Sequence, residues 1–188
     1  VLANQRLTES ISNELMKVTS NYNEKIWQHK GDIKKIVFED TLNPKENASY
    51  VYDISSAQNE SVMSYLVPDT EDNTKYIVYV QSDGEVVANG YSFYLFQNFS
   101  ALETIDNLNN LNTSNVVNMY SMFSGCSSLT VIDVSNFNTS NVNSIGELFS
   151  NCSSLIVLDI SGFDTSKVTN MQSMFAGCKK LTILDVSA

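Results

Sequence analysis

The cysteines of this sequence could support metal binding, redox chemistry or disulfide formation. Cys126, Cys152 and Cys178 follow one another at a constant 26-residue interval. Zinc sites use C-x-x-C pairs or mixed Cys and His clusters, and this spacing, with no His nearby, supplies neither. Stacked units could still bring two thiols to disulfide distance, although an odd number leaves one unpaired. We expect buried free thiols that act as small hydrophobic side chains.

His29 is the only histidine, and it stands close to Trp27. A Ser-His-Asp hydrolase needs its base next to a nucleophile, and no residue near His29 suggests one. We therefore expect a structural or solvated histidine, no catalytic residue, no cofactor and no enzyme activity. A hydrolase within residues 26–94 is the remote alternative.

Aspartates recur with the cysteine spacing at 133, 159 and 185. On stacked strands about 4.8 Å apart, their carboxylates would repel one another. A bound calcium ion could relieve this repulsion, but hydrogen bonds from Ser, Thr and backbone groups are the expected solution, so no metal site is predicted. The exposed strand face is the predicted contact surface, with cover by loops as its alternative. That surface comprises Val131, Asp133, Ser135, Val157, Asp159, Ser161, Ile183 and Asp185.

A 26-residue repeat accounts for these spacings. MFSGCSSLTVIDVSNFNTSNV from Met122 aligns without gaps with LFSNCSSLIVLDISGFDTSKV from Leu148, and MFAGCKKLTILDVSA from Met174 begins a third unit. A degenerate first unit starts at Leu95 and has Phe99 in the cysteine position, which indicates a core position rather than a ligand. Fixed periods of about 20–29 residues with leucine-type spacing are typical of leucine-rich solenoids.

Each unit predicts a short strand, a loop, a helical return and a turn. Ile132 and Val134 alternate as in a half-buried strand. Thr139 and Ser140 are candidate helix N-caps. The apolar residues that follow share one helical face, and they are Val142, Ile145, Leu148, Phe149 and Cys152.

The predicted organisation has three parts, and the predicted fold class is α/β. Residues 1–26 form an amphipathic helix, residues 27–94 an α+β capping region, and residues 95–188 a leucine-rich-repeat solenoid. A cap is expected because the end of a solenoid exposes hydrophobic positions. Within the cap, KIVFED and KYIVYVQ predict strands and SVMSYLVP predicts a short helix that ends at Pro68. The helix is predicted from one apolar stripe, made of Leu7, Ile11, Leu15, Val18 and Tyr22.

Composition excludes some classes of protein. The net charge is −10, and no basic stripe exists that would bind nucleic acid. No apolar run approaches the roughly 20 residues that cross a bilayer, so membrane contact would need a segment outside this sequence. The chain starts at Val1 and stops within a repeat, which we interpret as a fragment of a longer protein.

The stretch FDTSKVTNMQSMFAGCKKLTILDVS resembles the 26-residue repeat of BspA-like bacterial surface proteins of the DUF285 type. The resemblance covers residues 95–188 and, more loosely, 27–94. It implies an extracellular, cell-surface location and a role in adhesion, by binding a host or bacterial surface protein or a glycan. It supplies no catalytic residue.

The N-terminal helix resembles the soluble part of a type IV pilin-like protein. That resemblance implies an alternative function, a minor fibre subunit that displays a leucine-rich-repeat head and contacts other pilus subunits.

Overall fold

The computed structural model describes residues 13–18 and 23–187. Two short 3₁₀ helices, Lys25–His29 and Leu108–Asn110, are the only helices among the described residues. The described strands are β1 (Ile33–Glu39), β2 (Tyr50–Asp53), β3 (Val62–Pro68), β4 (Tyr76–Ser82), β5 (Val86–Val87), β6 (Thr104–Asp106), β7 (Leu111–Asn112), β8 (Val157–Asp159) and β9 (Ile183–Asp185). No helix in the described ranges has both the length and the apolar character that a membrane span requires.

A mixed sheet of five strands, in the order β2-β3-β4-β1-β6, forms the N-terminal part. β1 runs parallel to both of its neighbours, β4 and β6, whereas β3 is antiparallel to β4 and to β2. β-Branched and aromatic residues favour strands, and these strands are rich in them. β1 and β4 confirm the strands predicted from KIVFED and KYIVYVQ.

The stretch SVMSYLVP forms β3 rather than the predicted short helix. Its backbone is paired on both sides, with β2 and with β4, so its hydrogen bonds are made between strands. The side chains of Val62, Leu66 and Val67 are buried in this position. An apolar run buried in the interior of a sheet has no period that distinguishes it from a buried helix.

From residue 91 the chain forms a stack of coiled segments, in which equivalent positions of the 26-residue repeat are neighbours. Parallel bridges join Asn118 to Ser144 and Ser144 to Asn170. β8 and β9 form a two-stranded parallel pair in the same stack. Residues 91–187 are called the stack below.

Aromatic rings form the centre of the stack. Phe123 and Phe149 lie 5.7 Å apart between ring centroids, and Phe149 and Phe175 lie 6.4 Å apart. The ring planes are within 4° and 2° of parallel. Phe123 and Phe149 are fully buried, so they contribute large apolar areas to the core.

The predicted α/β leucine-rich-repeat solenoid is wrong, because the described residues form sheet and coil without an α-helix. In the predicted helical return, the N–H of Ile145 donates to Asn170 O at 2.9 Å, and that of Glu147 to Gln172 O at 2.8 Å. The N–H that follows, on Leu148, closes a turn with Ile145 O instead. Glu147 also has a left-handed φ of 53°. An α-helix excludes both features, since it needs i to i−4 bonds and negative φ throughout.

Turns also replace the predicted helix N-caps. The N–H of Ser140 donates to Asn138 Oδ1 at 3.1 Å, which forms a local Asx turn. Thr139 Oγ1 donates to Asp164 O at 3.1 Å, a bond to the next segment of the stack. Short polar side chains at these positions therefore hold turns together rather than begin helices.

The predicted N-terminal helix is wrong for the part that the structure describes. Residues 13–18 contain no helix, and their backbone is hydrogen-bonded to other segments of the chain. Leu15 N–H donates to Val87 O at 2.8 Å, and Met16 N–H donates to Ile54 O at 3.0 Å. These bonds to other segments occupy N–H groups that a helix would have used internally.

The apolar stripe of the predicted helix is only partly described. Leu15 and Val18 are buried, at 2% and 3% exposure, so the spacing indicated burial without indicating a helix. Leu7, Ile11 and Tyr22 lie outside the described residues. The fibre-subunit alternative depended on this helix, and residues 13–18 of it are bonded to other segments instead.

The sheet and the stack share one hydrophobic core, which runs from Leu15 to Met174. β6 pairs with β1, and β5 pairs with β7. Strands that precede the predicted boundary at residues 94 and 95 are therefore hydrogen-bonded to strands that follow it. Trp27 Nε1 donates to Leu95 O at 2.7 Å. The region predicted as a cap and the stack are therefore in continuous contact.

Candidate functional site

The predicted contact surface forms one row on the outside of the stack. Val131 bridges Val157 in parallel, and Val157 pairs with Ile183 across β8 and β9. Their side chains are 54%, 37% and 59% exposed, so no loop of the described chain covers them. Exposed apolar side chains in a contiguous row are a feature of interaction surfaces.

The aspartates of this surface are held by their own turns. Asp133 Oδ1 accepts hydrogen bonds from the N–H and Oγ of Ser135, at 3.0 and 2.6 Å. Asp159 is bonded in the same way by Ser161, at 2.9 and 2.7 Å. Asp185 repeats the pattern. The carboxylates therefore have defined positions beside the apolar row.

These turns also stabilise the charged form of the carboxylates. Hydrogen bonds from the Ser135 hydroxyl and N–H lower the pKa of Asp133 below its ordinary value of 3.8. The hydroxyl and N–H of Ser187 lower the pKa of Asp185 in the same way. Hydrogen bonding to a charged form favours that form, so Asp133 and Asp185 are negative at neutral pH.

Metal-ligating residues do not form clusters in the described part of the chain. No three His, Cys, Asp or Glu side chains within residues 13–18 and 23–187 come together as a set that could hold an ion. The donors to the Asp row are hydroxyl and N–H groups, which take the place of a cation in balancing the carboxylates.

The cysteines are free thiols, and each donates to a carbonyl oxygen of the preceding segment. Cys126 Sγ lies 3.2 Å from Phe96 O, and Cys152 Sγ lies 3.2 Å from Phe123 O. Both side chains are fully buried, which confirms the prediction for them. Cys178 is only partly buried, which differs from the prediction, because no described segment packs over it.

Burial controls the thiol chemistry. It raises the pKa of Cys152 to about 12 and that of Cys126 well above its ordinary value. The thiolate is the reactive form, so burial disfavours reaction of both groups at neutral pH.

His29 belongs to an aromatic cluster on the sheet. Its ring centroid is 4.4 Å from that of Tyr50 and 5.7 Å from that of Tyr76. His29 Nε2 is hydrogen-bonded to the Tyr52 hydroxyl at 2.9 Å. Burial lowers the pKa of His29, and the charge of Asp32 partly opposes this effect.

A cavity of about 310 Å³ on another face of the stack was not predicted from the sequence. Its walls combine aromatic rings with amide and hydroxyl groups. They are Phe93, Tyr94, Asn118, Tyr120, Ser144 and Asn170. The 26-residue register applied to Asn118, Ser144 and Asn170 would have placed these polar groups in one row.

Together these features define a class of protein: a mixed sheet that continues into a stack of 26-residue coils with exposed polar and apolar rows. The chain belongs to the family described as "Mycoplasma protein of unknown function, DUF285", whose model matches residues 92–186. That match covers nearly the whole stack. Membership is consistent with a surface-type protein, and the family description assigns no activity. Neither the curated proteins nor the solved structures contain a significant match to this chain.

Proposed function

We propose that this protein is a non-enzymatic, extracellular surface protein of a bacterium that mediates adhesion by binding a partner protein. The binding surface is the row of Val131, Val157 and Ile183 with its flanking Asp and Ser residues, called the contact stripe below. The observation that carries the proposal is the exposure of these apolar side chains beside carboxylates held in fixed positions.

The partner is a protein surface that is complementary in charge and apolar character. Apolar side chains on the partner would cover the valines and the isoleucine and remove them from water. Lys or Arg side chains on the partner would pair with Asp133, Asp159 and Asp185. Complementary charges at the rim of an interface accelerate association and select among partners.

The fixed geometry of the carboxylates favours binding. A side chain that is already ordered loses less conformational freedom when the complex forms. Each Asp is already bonded by the serine two residues later, as with Ser135 Oγ on Asp133 at 2.6 Å. The contact stripe is therefore ordered before a partner arrives.

The experiment measures adhesion of protein-coated beads to cultured host epithelial cells. The test variant is Val131→Ser together with Val157→Ser, which replaces two exposed apolar side chains with smaller polar ones. Leu42→Ser is the matched control, because Leu42 is 49% exposed and lies in the sheet region. We expect the double variant to bind about tenfold fewer beads, the effect of losing interface anchors worth roughly 1.4 kcal/mol.

A second arm tests the charges. Asp133→Asn together with Asp159→Asn should reduce binding and make the remainder less sensitive to salt. Soluble wild-type protein should compete with the beads. Equal adhesion of the Val131→Ser, Val157→Ser variant and the wild type would overturn the proposal, as would equal loss in the Leu42→Ser control.

A further inference from the structure

A second surface of the stack, separate from the contact stripe, has the chemistry of a small-molecule site. The cavity of about 310 Å³ is at the lower end of the size range of ligand pockets, roughly 300–1,000 Å³. Its position follows from two rows of side chains that the 26-residue register stacks on each other. One row consists of Asn118, Ser144 and Asn170, and Tyr91 precedes it through a parallel bridge to Asn118. The other row contains Tyr94 and Tyr120, joined by a bond from Tyr94 N–H to Tyr120 O.

The aromatic wall of the cavity is a corner made by two tyrosines. The rings of Tyr94 and Tyr120 are 5.9 Å apart between centroids and nearly perpendicular, at 86°. Phe93 packs against Tyr94 at 5.3 Å and extends this wall. All three side chains are only partly buried. Lys17 Nζ lies over the Phe93 ring at 5.2 Å, so the two tyrosines are the rings offered to a ligand. An aromatic face is electron-rich and attracts polarised C–H groups.

The polar wall consists of side chains with unused donors. Asn118 Oδ1 accepts from Tyr120 N–H at 2.8 Å, and Asn170 Oδ1 accepts from Gln172 N–H at 3.0 Å. These bonds fix both amides and leave their Nδ2 groups without a bond to any described residue. The Ser144 hydroxyl, which lies between them in the row, likewise has no hydrogen bond to a described residue.

A glycine makes room for one amide of the cavity wall. In the 26-residue register, Gly146 occupies the position that Tyr120 holds in the preceding unit and Gln172 in the following one. A Cβ on Gly146 would lie 2.9 Å from both the Nδ2 and the Oδ1 of Asn170. The absence of a side chain therefore makes room for the Asn170 amide to lie over the backbone.

We infer that this cavity binds a neutral saccharide ring, which stacks one C–H face on Tyr120 or Tyr94 and donates and accepts hydrogen bonds with Asn118, Ser144 and Asn170. A sugar ring presents polarised C–H groups on its faces and hydroxyl groups at its edge, which matches a corner of rings opposite a row of amides.

Local charge favours a neutral ligand over an anionic one. Glu147 accepts a hydrogen bond from Ser121 Oγ at 3.0 Å and also hydrogen-bonds with Tyr120. Its carboxylate therefore lies next to the aromatic wall and would repel an acidic sugar. Lys17 Nζ lies over the Tyr91 ring at 4.8 Å and over the ring of Phe93, a lining residue, at 5.2 Å, so this cation borders the cavity on the side away from Glu147 and is already paired with two rings.

The test is titration of the full chain, ¹⁵N-labelled, with methyl β-glucoside, methyl β-galactoside and N-acetylglucosamine, followed by backbone amide shifts. We expect at least one of these sugars to shift the amides of Tyr120 and Asn170 with a Kd of about 1 mM, as for a ligand of one ring. N-acetylneuraminic acid and tetramethylammonium test the anionic and cationic alternatives. Shifts of these amides by either ion but by no neutral sugar would overturn the inference.

Two variants locate the site. Asn118→Asp with Asn170→Asp keeps both Oδ1 acceptors of the turns and removes both Nδ2 donors, and it should weaken binding about tenfold or more. Tyr120→Ala should remove the stacking surface with a similar loss.

The matched control is Asn138→Asp. Asn138 caps a turn of the same kind, and Asp164 stands at the equivalent position of the next unit, so the stack tolerates this exchange. Sugar binding should be unchanged in the control. Binding that survives both test variants, a loss of equal size in the control, or no shift at about 20 mM of any of the three sugars would each overturn the inference.

Discussion

Asp159 and Asp185 lie directly opposite each other across β8 and β9, and each carboxylate is bonded by the serine two residues later. Ser161 Oγ donates to Asp159 at 2.7 Å, and Ser187 Oγ donates to Asp185 at 2.6 Å. Like charges directly opposite on neighbouring strands are destabilising. The serine donors offset this repulsion within each turn, so the row can repeat along the stack.

The Ser187 donors should therefore set the acidity of Asp185. In Ser187→Ala, Asp185 loses one of its two donors, so its pKa should rise toward the ordinary value of 3.8. The measurement is a carboxyl ¹³C NMR titration of the wild type and the variant. Ser166→Ala is the control, since its hydroxyl is bonded to Asp164 and lies in another turn. An unchanged Asp185 pKa in Ser187→Ala would contradict this account.

The same shifts predict how stability depends on pH. The folded-state pKa values of Asp133 and Asp185 are below the unfolded value near 3.8, so the unfolded state binds more protons in this range. The contribution of these groups is fully present above pH 3.8 and is lost as pH falls through the folded-state values. The melting temperature should fall less steeply below that pH in Ser135→Ala with Ser187→Ala than in the wild type.

Calcium should not affect the stability of the stack. The donors to the Asp row are serine hydroxyl and backbone groups, and the described residues contain no cluster of metal-ligating side chains. Melting temperatures with calcium and with a chelator should agree within about 1 °C, since a ligand that binds only the native state would raise them. A drop of several degrees with chelator that Asp159→Asn abolishes would instead show a cation on the row.

The ring stack should be the most sensitive part of the core. Phe149 is fully buried between Phe123 and Phe175, so Phe149→Ala should lower the free energy of unfolding by about 3–5 kcal/mol. Phe175→Ala should cost clearly less, because Phe175 is only partly buried. Urea unfolding followed by circular dichroism measures both. Equal costs would mean that the two positions are packed alike.

The sequence predicted contacts better than it predicted secondary structure. The 26-residue register indicated which side chains share a row, as with Val131 and Val157 on the outside and Cys126 and Cys152 inside. It could not indicate which carbonyl oxygens accept the hydrogen bonds of the backbone N–H groups. An apolar stripe at Val142 and Ile145 looks the same for a helix as for turns whose N–H groups bond across the stack.

The N-terminal prediction failed for a related reason. Leu15 and Val18 have helical spacing and are buried, but their segment is hydrogen-bonded to Val87 and Ile54, which are distant in sequence. Tertiary pairing of this kind overrides local preference, and single-sequence patterns do not contain it. The 26-residue register contains the row of Asn118, Ser144 and Asn170, but a register does not show that a cavity lies between this row and Tyr120.

The cysteines should separate into two classes in the native protein. With a thiol reagent at mildly alkaline pH, Cys178 should react first, because it is only partly buried, while Cys126 and Cys152 should react slowly. Burial raises the pKa of Cys152 to about 12, so almost no thiolate forms there. Unfolded protein should react at all three positions. Peptide mass spectrometry of partly labelled protein assigns the sites, and fast labelling of Cys152 would contradict the packed interior.

The sheet and the stack should unfold together, although the sequence predicted separate regions on either side of residue 94. Trp27 reports on the junction, since its side chain is buried and its Nε1 donates to Leu95 O. Cys152 reports on the middle of the stack. Because one hydrophobic core spans both parts, Trp27 fluorescence and Cys152 pulse labelling should give the same urea midpoint.

A variant in β1 tests the same coupling, because β1 lies between β4 and β6. Ile36 is fully buried and is paired with Val78 on one side and Ile105 on the other. Ile36→Ala should cost about 2–5 kcal/mol and lower both midpoints by the same amount. The control Lys35→Ala removes an exposed ion pair with Asp106 and should move both by little. If Ile36→Ala lowers the Trp27 midpoint and leaves the Cys152 midpoint in place, the stack is an independent folding unit and the shared core does not couple them.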